Sequence, residues 1–220
     1  MFNESLLSHL HRTGILAVLV IDRAEDAVPL ARALLEGGVE CMELTLRTPA
    51  AMEALRRIRA DVPEMIAGVG TILTPHQVRE AAGAGATFGV APGMNPRVVA
   101  EAKSIGLPFA PGICTPSDIE QALEHGCRLL KFFPAEPLGG IAYLKSIAAP
   151  YAHLDLRFIP LGGIDAGNAE RYLGEPIIQA LGGSWLAPRE LIQKRDWPAI
   201  SRRARQVSEL VNRIRPRNPS

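Results

Sequence analysis

The chain has 220 residues, 47% hydrophobic and 21% charged, with 24 Lys+Arg against 23 Asp+Glu for a net charge of +1. That balance fits one globular domain spanning residues 1–220, and it offers neither a basic stripe for nucleic acid nor a polybasic patch for a membrane surface. Cys41, Cys114 and Cys127 are odd in number and form no C-x-x-C pair, which argues against a disulfide or zinc framework, and no apolar run approaches the ~18 residues of a membrane span. Without a charged segment and apolar run at the N-terminus, the expected compartment is a reducing cytoplasm.

A first helix is expected over residues 4–12. After it, short β-like runs recur at residues 15–20, 41–46, 65–69, 87–91, 108–112, 128–133, 157–161 and 177–181. The segments between them carry helix signals. Residues 27–35 are amphipathic and stop at Gly37-Gly38, a C-cap signal. Thr48-Pro49, Thr74-Pro75, Asn95-Pro96 and Thr115-Pro116 each place a capping residue before a proline suited to the first helical turn. Gly106, Gly126 and Gly174 sit where helices should stop. A last helix over residues 190–214 is interrupted near Pro198, and Arg202, Arg203, Arg205, Arg213, Arg215 and Arg217 are expected to solvate it and the tail. Eight strands alternating with helices, without a second composition regime, predict a (β/α)₈ TIM barrel with an N-terminal capping helix. An open doubly wound sheet is the competing architecture, weakened by the lack of G-x-G-x-x-G after the first strand.

In such a barrel the chemistry sits at the C-terminal strand ends. The second strand ends Glu43-Leu44-Thr45-Leu46-Arg47, where Glu43, Thr45 and Arg47 share a parity. A carboxylate and a guanidinium in one cleft suit an acid/base beside a carboxylate binder, or else form a structural ion pair. Gly68-Val69-Gly70-Thr71 either lets a ligand or backbone come close or makes a turn. Ala91-Pro92-Gly93 would form a rigid apolar wall. Gly162-Gly163 and Gly182-Gly183-Ser184 end the seventh and eighth strands, where barrels commonly bind phosphate through backbone N–H groups. His9, His11, His76, His125 and His153 fall outside these ends with no metal-ligand spacing, so neither a metal nor a cofactor is expected.

The sixth strand carries Lys131 inside Leu129-Leu130-Lys131-Phe132-Phe133. By alternation, Leu129, Lys131 and Phe133 share one face. Desolvation favours the neutral amine, which is the nucleophile toward a carbonyl carbon. The alternative is a strand-end lysine that snorkels to solvent.

The motifs E-L-T-L-R-T (43–48), G-V-G-T (68–71), A-P-G (91–93), K-F-F-P-A-E (131–136), G-G-I (162–164) and G-G-S-W-L (182–186) resemble, in order, the 2-keto-3-deoxy-6-phosphogluconate and 4-hydroxy-2-oxoglutarate aldolases. The resemblance implies a class I, metal-independent aldolase that binds pyruvate and a phosphorylated 2-keto-3-deoxy sugar acid and assembles as a homotrimer. Carried over, Lys131 would form the Schiff base and Glu43 would shuttle protons. Arg47 and Thr71 would hold the carboxylate end, while Pro92 and Phe133 would line the pocket. Gly162, Gly163, Gly183 and Ser184 would bind phosphate. Two positions depart from the pattern. Leu161 stands where phosphogluconate-specific members have threonine and the galactonate branch has an apolar residue. Val20 stands where several relatives have arginine. The competing functions are the same Schiff-base chemistry on the C4 epimer or an unphosphorylated substrate, and a non-catalytic sugar-phosphate-binding barrel.

Overall fold

The structure is a computed structural model that describes residues 2–216; Met1, and Arg217 of the expected tail, lie outside that range. The elements run α1 (Glu4–Thr13), β1 (Ile15–Leu19), α2 (Ala27–Glu36), β2 (Cys41–Thr45), α3 (Ala51–Asp61), β3 (Ile66–Gly70), α4 (Pro75–Gly83), β4 (Gly89–Val90) and α5 (Pro96–Ser104). They continue as β5 (Phe109–Ala110), β6 (Gly112–Ile113), α6 (Pro116–Glu124), β7 (Leu129–Phe132), α7 (Gly140–Ala148), β8 (Arg157–Pro160), α8 (Ala169–Leu173), β9 (Leu181–Gly183), α9 (Arg189–Gln193) and α10 (Trp197–Ile214).

Several helix starts follow directly from sequence. Thr74 and Thr115 each build a capping box, with Gln77 and Asp118, and Asn95 accepts from the Arg97 N–H. Thr48 does not cap a helix. Its hydroxyl donates to the Ile21 carbonyl, and α3 begins three residues later, after Ala50. The C-terminal helix breaks before Pro198: Arg195 is left-handed at φ 56°, and Asp196 restarts α10 by accepting from the Ala199 N–H. Arg215 turns inward rather than solvating the tail. Its guanidinium donates to the carbonyls of Leu173, His11, Gln179 and Ile178 and so ties the end of α10 to the N-terminal side of the strands.

The fold is α/β, and every strand pair is parallel. One sheet has the order β5-β4-β3-β2-β1-β9 and the other β6-β7-β8. Two expected strands differ from their sequence-based bounds. The run at 108–112 splits at Pro111, whose ring nitrogen has no hydrogen to give a ladder, so β5 pairs with β4 and β6 pairs with β7. The run at 177–181 contributes only the Phe158–Ile178 bridge to β8, and regular pairing with β1 starts at Leu181. Gln179 explains the shift: its N–H donates to the Phe158 carbonyl, whereas its side-chain amide donates to Leu7 of α1.

Alternation along the strands sorts the apolar residues into two layers. Leu16, Cys41, Phe88, Val90, Ala110, Leu129, Ile159 and Leu161 form one buried cluster, into which Leu6 and Leu10 of α1 pack as a plug. Burial pushes the Cys41 thiol up to about 12, so it behaves as a core residue. The opposite strand faces meet the helices in a larger cluster that includes Leu130, Phe132, Phe158 and Tyr172. Trp185 and Trp197 pack, partly buried, against that cluster.

A rim of ion pairs joins α9 to the segment after β1. Asp22 accepts from Arg189 and Gln193, and these bonds, with Arg189 first, hold its carboxyl down at about 2. A carboxyl depressed in the folded state stabilises the fold above its unfolded value and loses that contribution as pH falls through the folded one. Asp22→Asn is therefore expected to lower the unfolding free energy at neutral pH, by no more than about 1 kcal/mol for so exposed a pair. The gap from the parent protein should close between about pH 4 and pH 2; a constant gap in urea titrations across that range would assign the effect to shape rather than charge.

Candidate active site

Lys131 lies on β7 with Gly112 and Ile159 as its parallel neighbours. Its side chain is 7% exposed and stays on the inner face with Leu129 and Phe133, so it does not snorkel. The Nζ atom sits 3.2 Å from Glu43 Oε1 and 5.7 Å from the centre of the Phe133 ring. Glu43, on β2, is 1% exposed. Removing either charge from water is costly, and the pair offsets that cost only at contact distance. The structural Glu43–Arg47 pair considered from sequence is not formed; the carboxyl reaches across to the lysine. Glu43 Oε2 has no hydrogen-bond partner among the described residues, which leaves one acceptor oxygen for a reacting group.

Gly70 is what lets this carboxyl stand where it does. It follows Val69 on the adjacent strand, and a Cβ built there would lie 1.7 Å from Glu43 Oε1. The next residue, Thr71, adopts φ 60°, a left-handed conformation that is strained for a β-branched side chain and that clusters at ligand sites. Thr45, which shares parity with Glu43, takes no place in the site. Its hydroxyl donates to the Leu19 carbonyl at 2.9 Å and ties β2 to β1.

Lys131 opens into a cavity of about 140 Å³. Arg47 and Thr71, the apolar Pro92 and Phe133, and Gly162, Gly182 and Ser184 line it. Val18, Val20 and Leu161 complete the lining. Gly162 and Gly163 have φ of 92° and 82°, accessible to glycine without strain. The Gly162 carbonyl accepts from the Glu136 N–H at 2.9 Å, and the Gly163 carbonyl accepts from the Asn168 amide at 2.8 Å. Both carbonyls are thus held by protein, and among the described residues the N–H groups of Gly162, Gly163 and Ser184 donate to no protein acceptor.

The family described as KDPG and KHG aldolase matches residues 6–203. The 2-dehydro-3-deoxy-phosphogluconate aldolase of Treponema pallidum is 44% identical over 94% of this chain and 98% of its own length. The chain belongs to the KDPG and KHG aldolase family. Among solved structures, the KDPG aldolase of Legionella pneumophila, with pyruvate captured as a covalent carbinolamine, superposes with a TM-score of 0.88 at 35% identity, covering 94% of this chain and 98% of that one. The Zymomonas mobilis aldolase with 3-phosphoglycerate gives 0.86 at 36% identity, covering 93% and 95%.

Within this aldolase fold, the structure gathers Lys131, Arg47, Thr71, Pro92, Phe133, Gly162 and Ser184 at one cavity, with Glu43 behind it in contact with Lys131. Two expected members are not in its lining. Gly183 is buried in β9 against the Trp185 ring, and Gly163 packs on Glu136. Sequence reasoning passed over Val18, although it shares the parity of Leu16 on β1 and of Val20 just after it, and it set Gly182 aside in favour of Gly183. Parity alone would have found the first. Choosing between two adjacent glycines needed the position of Trp185.

Among the described residues, no helix is long and apolar enough to cross a membrane, and no cluster of three or more His, Cys, Asp or Glu is arranged for a metal.

Proposed function

We propose that this protein is a class I aldolase that cleaves 2-keto-3-deoxy-6-phosphogluconate to pyruvate and glyceraldehyde 3-phosphate. The observation that carries the reading is the buried Lys131 Nζ at 3.2 Å from Glu43, at the base of a cavity whose lining includes Arg47 and Thr71. Lys131 attacks the C2 carbonyl to give a carbinolamine, which loses water to an iminium. Arg47 holds the C1 carboxylate as a bidentate partner, with the Thr71 hydroxyl beside it. Glu43 takes the C4 hydroxyl proton. The C3–C4 bond then breaks, and its electrons enter the iminium to form an enamine. Glu43 returns a proton to C3, and water releases pyruvate from Lys131. Pro92 and Phe133 keep the reacting carbons dry, while the N–H groups of Gly162 and Gly163, with Ser184 and the strand end at Gly183, hold the distant phosphate and orient the substrate.

The alternative substrate reading is the C4 epimer, 2-keto-3-deoxy-6-phosphogalactonate. Leu161 favours it, because this buried side chain lines the cavity over Gly182 and brings no hydroxyl toward the substrate. Cleavage of 4-hydroxy-2-oxoglutarate needs only the Lys131–Glu43–Arg47 half of the site. The reading also includes a single domain whose two sheets are the parts of one (β/α)₈ barrel. The parallel Phe158–Ile178 bridge and the continuity of the chain through Pro111 support it. A homotrimeric, cytoplasmic enzyme completes the proposal.

Borohydride reduction with pyruvate, followed by intact mass and peptide mapping, tests it. The expected product is one reduced pyruvyl group per chain on Lys131. Lys103, Lys145 and Lys194 are exposed, so an adduct spread over those side chains, or none on folded protein, would sink the assignment.

A further inference from the structure

Glu136 touches neither the cavity nor the Lys131–Glu43 pair, yet it is engaged on every side. Its N–H donates to the Gly162 carbonyl at 2.9 Å, and the preceding Ala135 N–H donates to the Leu161 carbonyl at 2.7 Å. These two bonds zip the chain after β7 to the chain after β8. The side-chain stem supports the next glycine, since a Cβ on Gly163 would meet Glu136 Cβ at 2.6 Å. The carboxylate is held from the far side: Tyr172, fully buried on α8, donates its hydroxyl to Oε1, and Arg171 approaches Oε2 at 2.5 Å. Burial, then the Glu136 bond, pushes the Tyr172 phenol up, so it remains a donor and Glu136 its acceptor. Gly140, at φ 66°, closes the remaining side; a Cβ there would lie 2.9 Å from Glu136 Oε1 and 3.0 Å from the Tyr172 hydroxyl.

We propose that Glu136, clamped by Tyr172 and Arg171, is a positioning residue that fixes the Gly162–Gly163 turn so that its free N–H groups grip the phosphate of the substrate. The inference rests on the phosphate site proposed above and assigns that site its support. Two glycines with positive φ are intrinsically mobile, and ordering them on substrate binding would cost conformational entropy. Glu136 removes that cost in advance. It also explains why a carboxylate is tolerated beside an anion site, because Arg171 neutralises it before the phosphate arrives. The same residue follows the lysine strand, so the phosphate grip is tied mechanically to the position of the nucleophile.

The test compares 2-keto-3-deoxy-6-phosphogluconate with its unphosphorylated counterpart, 2-keto-3-deoxygluconate, in the parent enzyme and in Glu136→Ala, Glu136→Gln and Tyr172→Phe. Glu136→Ala is expected to lower kcat/KM for the phosphorylated sugar about tenfold, the weight of one charge-assisted hydrogen bond, and chiefly through KM. Cleavage of the unphosphorylated sugar and borohydride trapping of pyruvate should stay within about twofold of the parent. Glu136→Gln keeps the stem and an acceptor for Tyr172 and should recover most of the loss, with Tyr172→Phe between the two. Equal loss on both sugars, or no loss on either, overturns the positioning role. A parent enzyme that handles both sugars alike instead overturns the phosphate site itself, and with it this role; that failure is read on the unmutated protein and cannot be confused with the first.

Discussion

Lys131→Met is expected to lower kcat/KM for aldol cleavage by about 10⁴-fold or more, the scale on which losing a covalent nucleophile acts, and to abolish the pyruvate adduct. Methionine keeps the length and apolar stem, so Leu129 and Phe133 retain their neighbour and the cavity its floor. What disappears is the amine and the partner of Glu43. The Glu43 carboxyl, 1% exposed, then has no hydrogen bond on either oxygen. Leaving one half of a buried ion pair costs about 3–5 kcal/mol. The single variant should therefore unfold at markedly lower denaturant, and Lys131→Met with Glu43→Gln should regain part of that loss. Such non-additivity is the signature of two groups in contact. A Lys131→Met protein that still traps pyruvate would move the nucleophile to another lysine. Unchanged stability would show that the pair is not the buried contact seen here.

The inner and outer faces of the strands were readable from alternation, and with them the shared face of Leu129, Lys131 and Phe133. The helix caps at Thr74 and Thr115 were readable because each is a local event, closed within four residues. What alternation cannot reveal is the partner across the sheet. The Gly68-Val69-Gly70 run looked like a ligand approach or a turn; instead Gly70 vacates space for a carboxyl from the adjacent strand. Thr48 looked like a helix cap, but a carbonyl after β1 claims its hydroxyl. Glu136 carried no signal at all beyond its place in the motif, since its partners lie 35 and 36 residues away on α8. Pro111 was the one visible warning that a strand would split. Local chemistry fixes elements and faces, whereas the polar contacts that complete this site are nearly all between elements far apart in the chain.

Glu43→Gln separates Schiff-base formation from carbon–carbon cleavage. The amide is isosteric and still accepts one hydrogen bond from Lys131, so the lysine keeps its place, and Arg47 and Thr71 still meet the carboxylate end of pyruvate. A borohydride-reducible adduct is therefore expected, formed more slowly. The amide cannot take the C4 hydroxyl proton or return one to C3, and among the described residues no carboxylate lines the cavity to replace Glu43, which stands behind Lys131. Losing a positioned acid/base costs about 10²–10⁴-fold, here in kcat with KM little changed. Exchange of the pyruvate methyl protons with deuterated solvent passes through the same enamine and the same carboxylate, so it should fall in step with kcat. Parallel loss of cleavage and exchange, with the adduct retained, assigns both proton transfers to Glu43. Near-parental turnover would remove Glu43 from the chemistry and leave it only the task of neutralising a buried lysine. If exchange is kept but cleavage is lost, the two proton transfers use different bases: Glu43 takes the C4 hydroxyl proton, and another group serves C3.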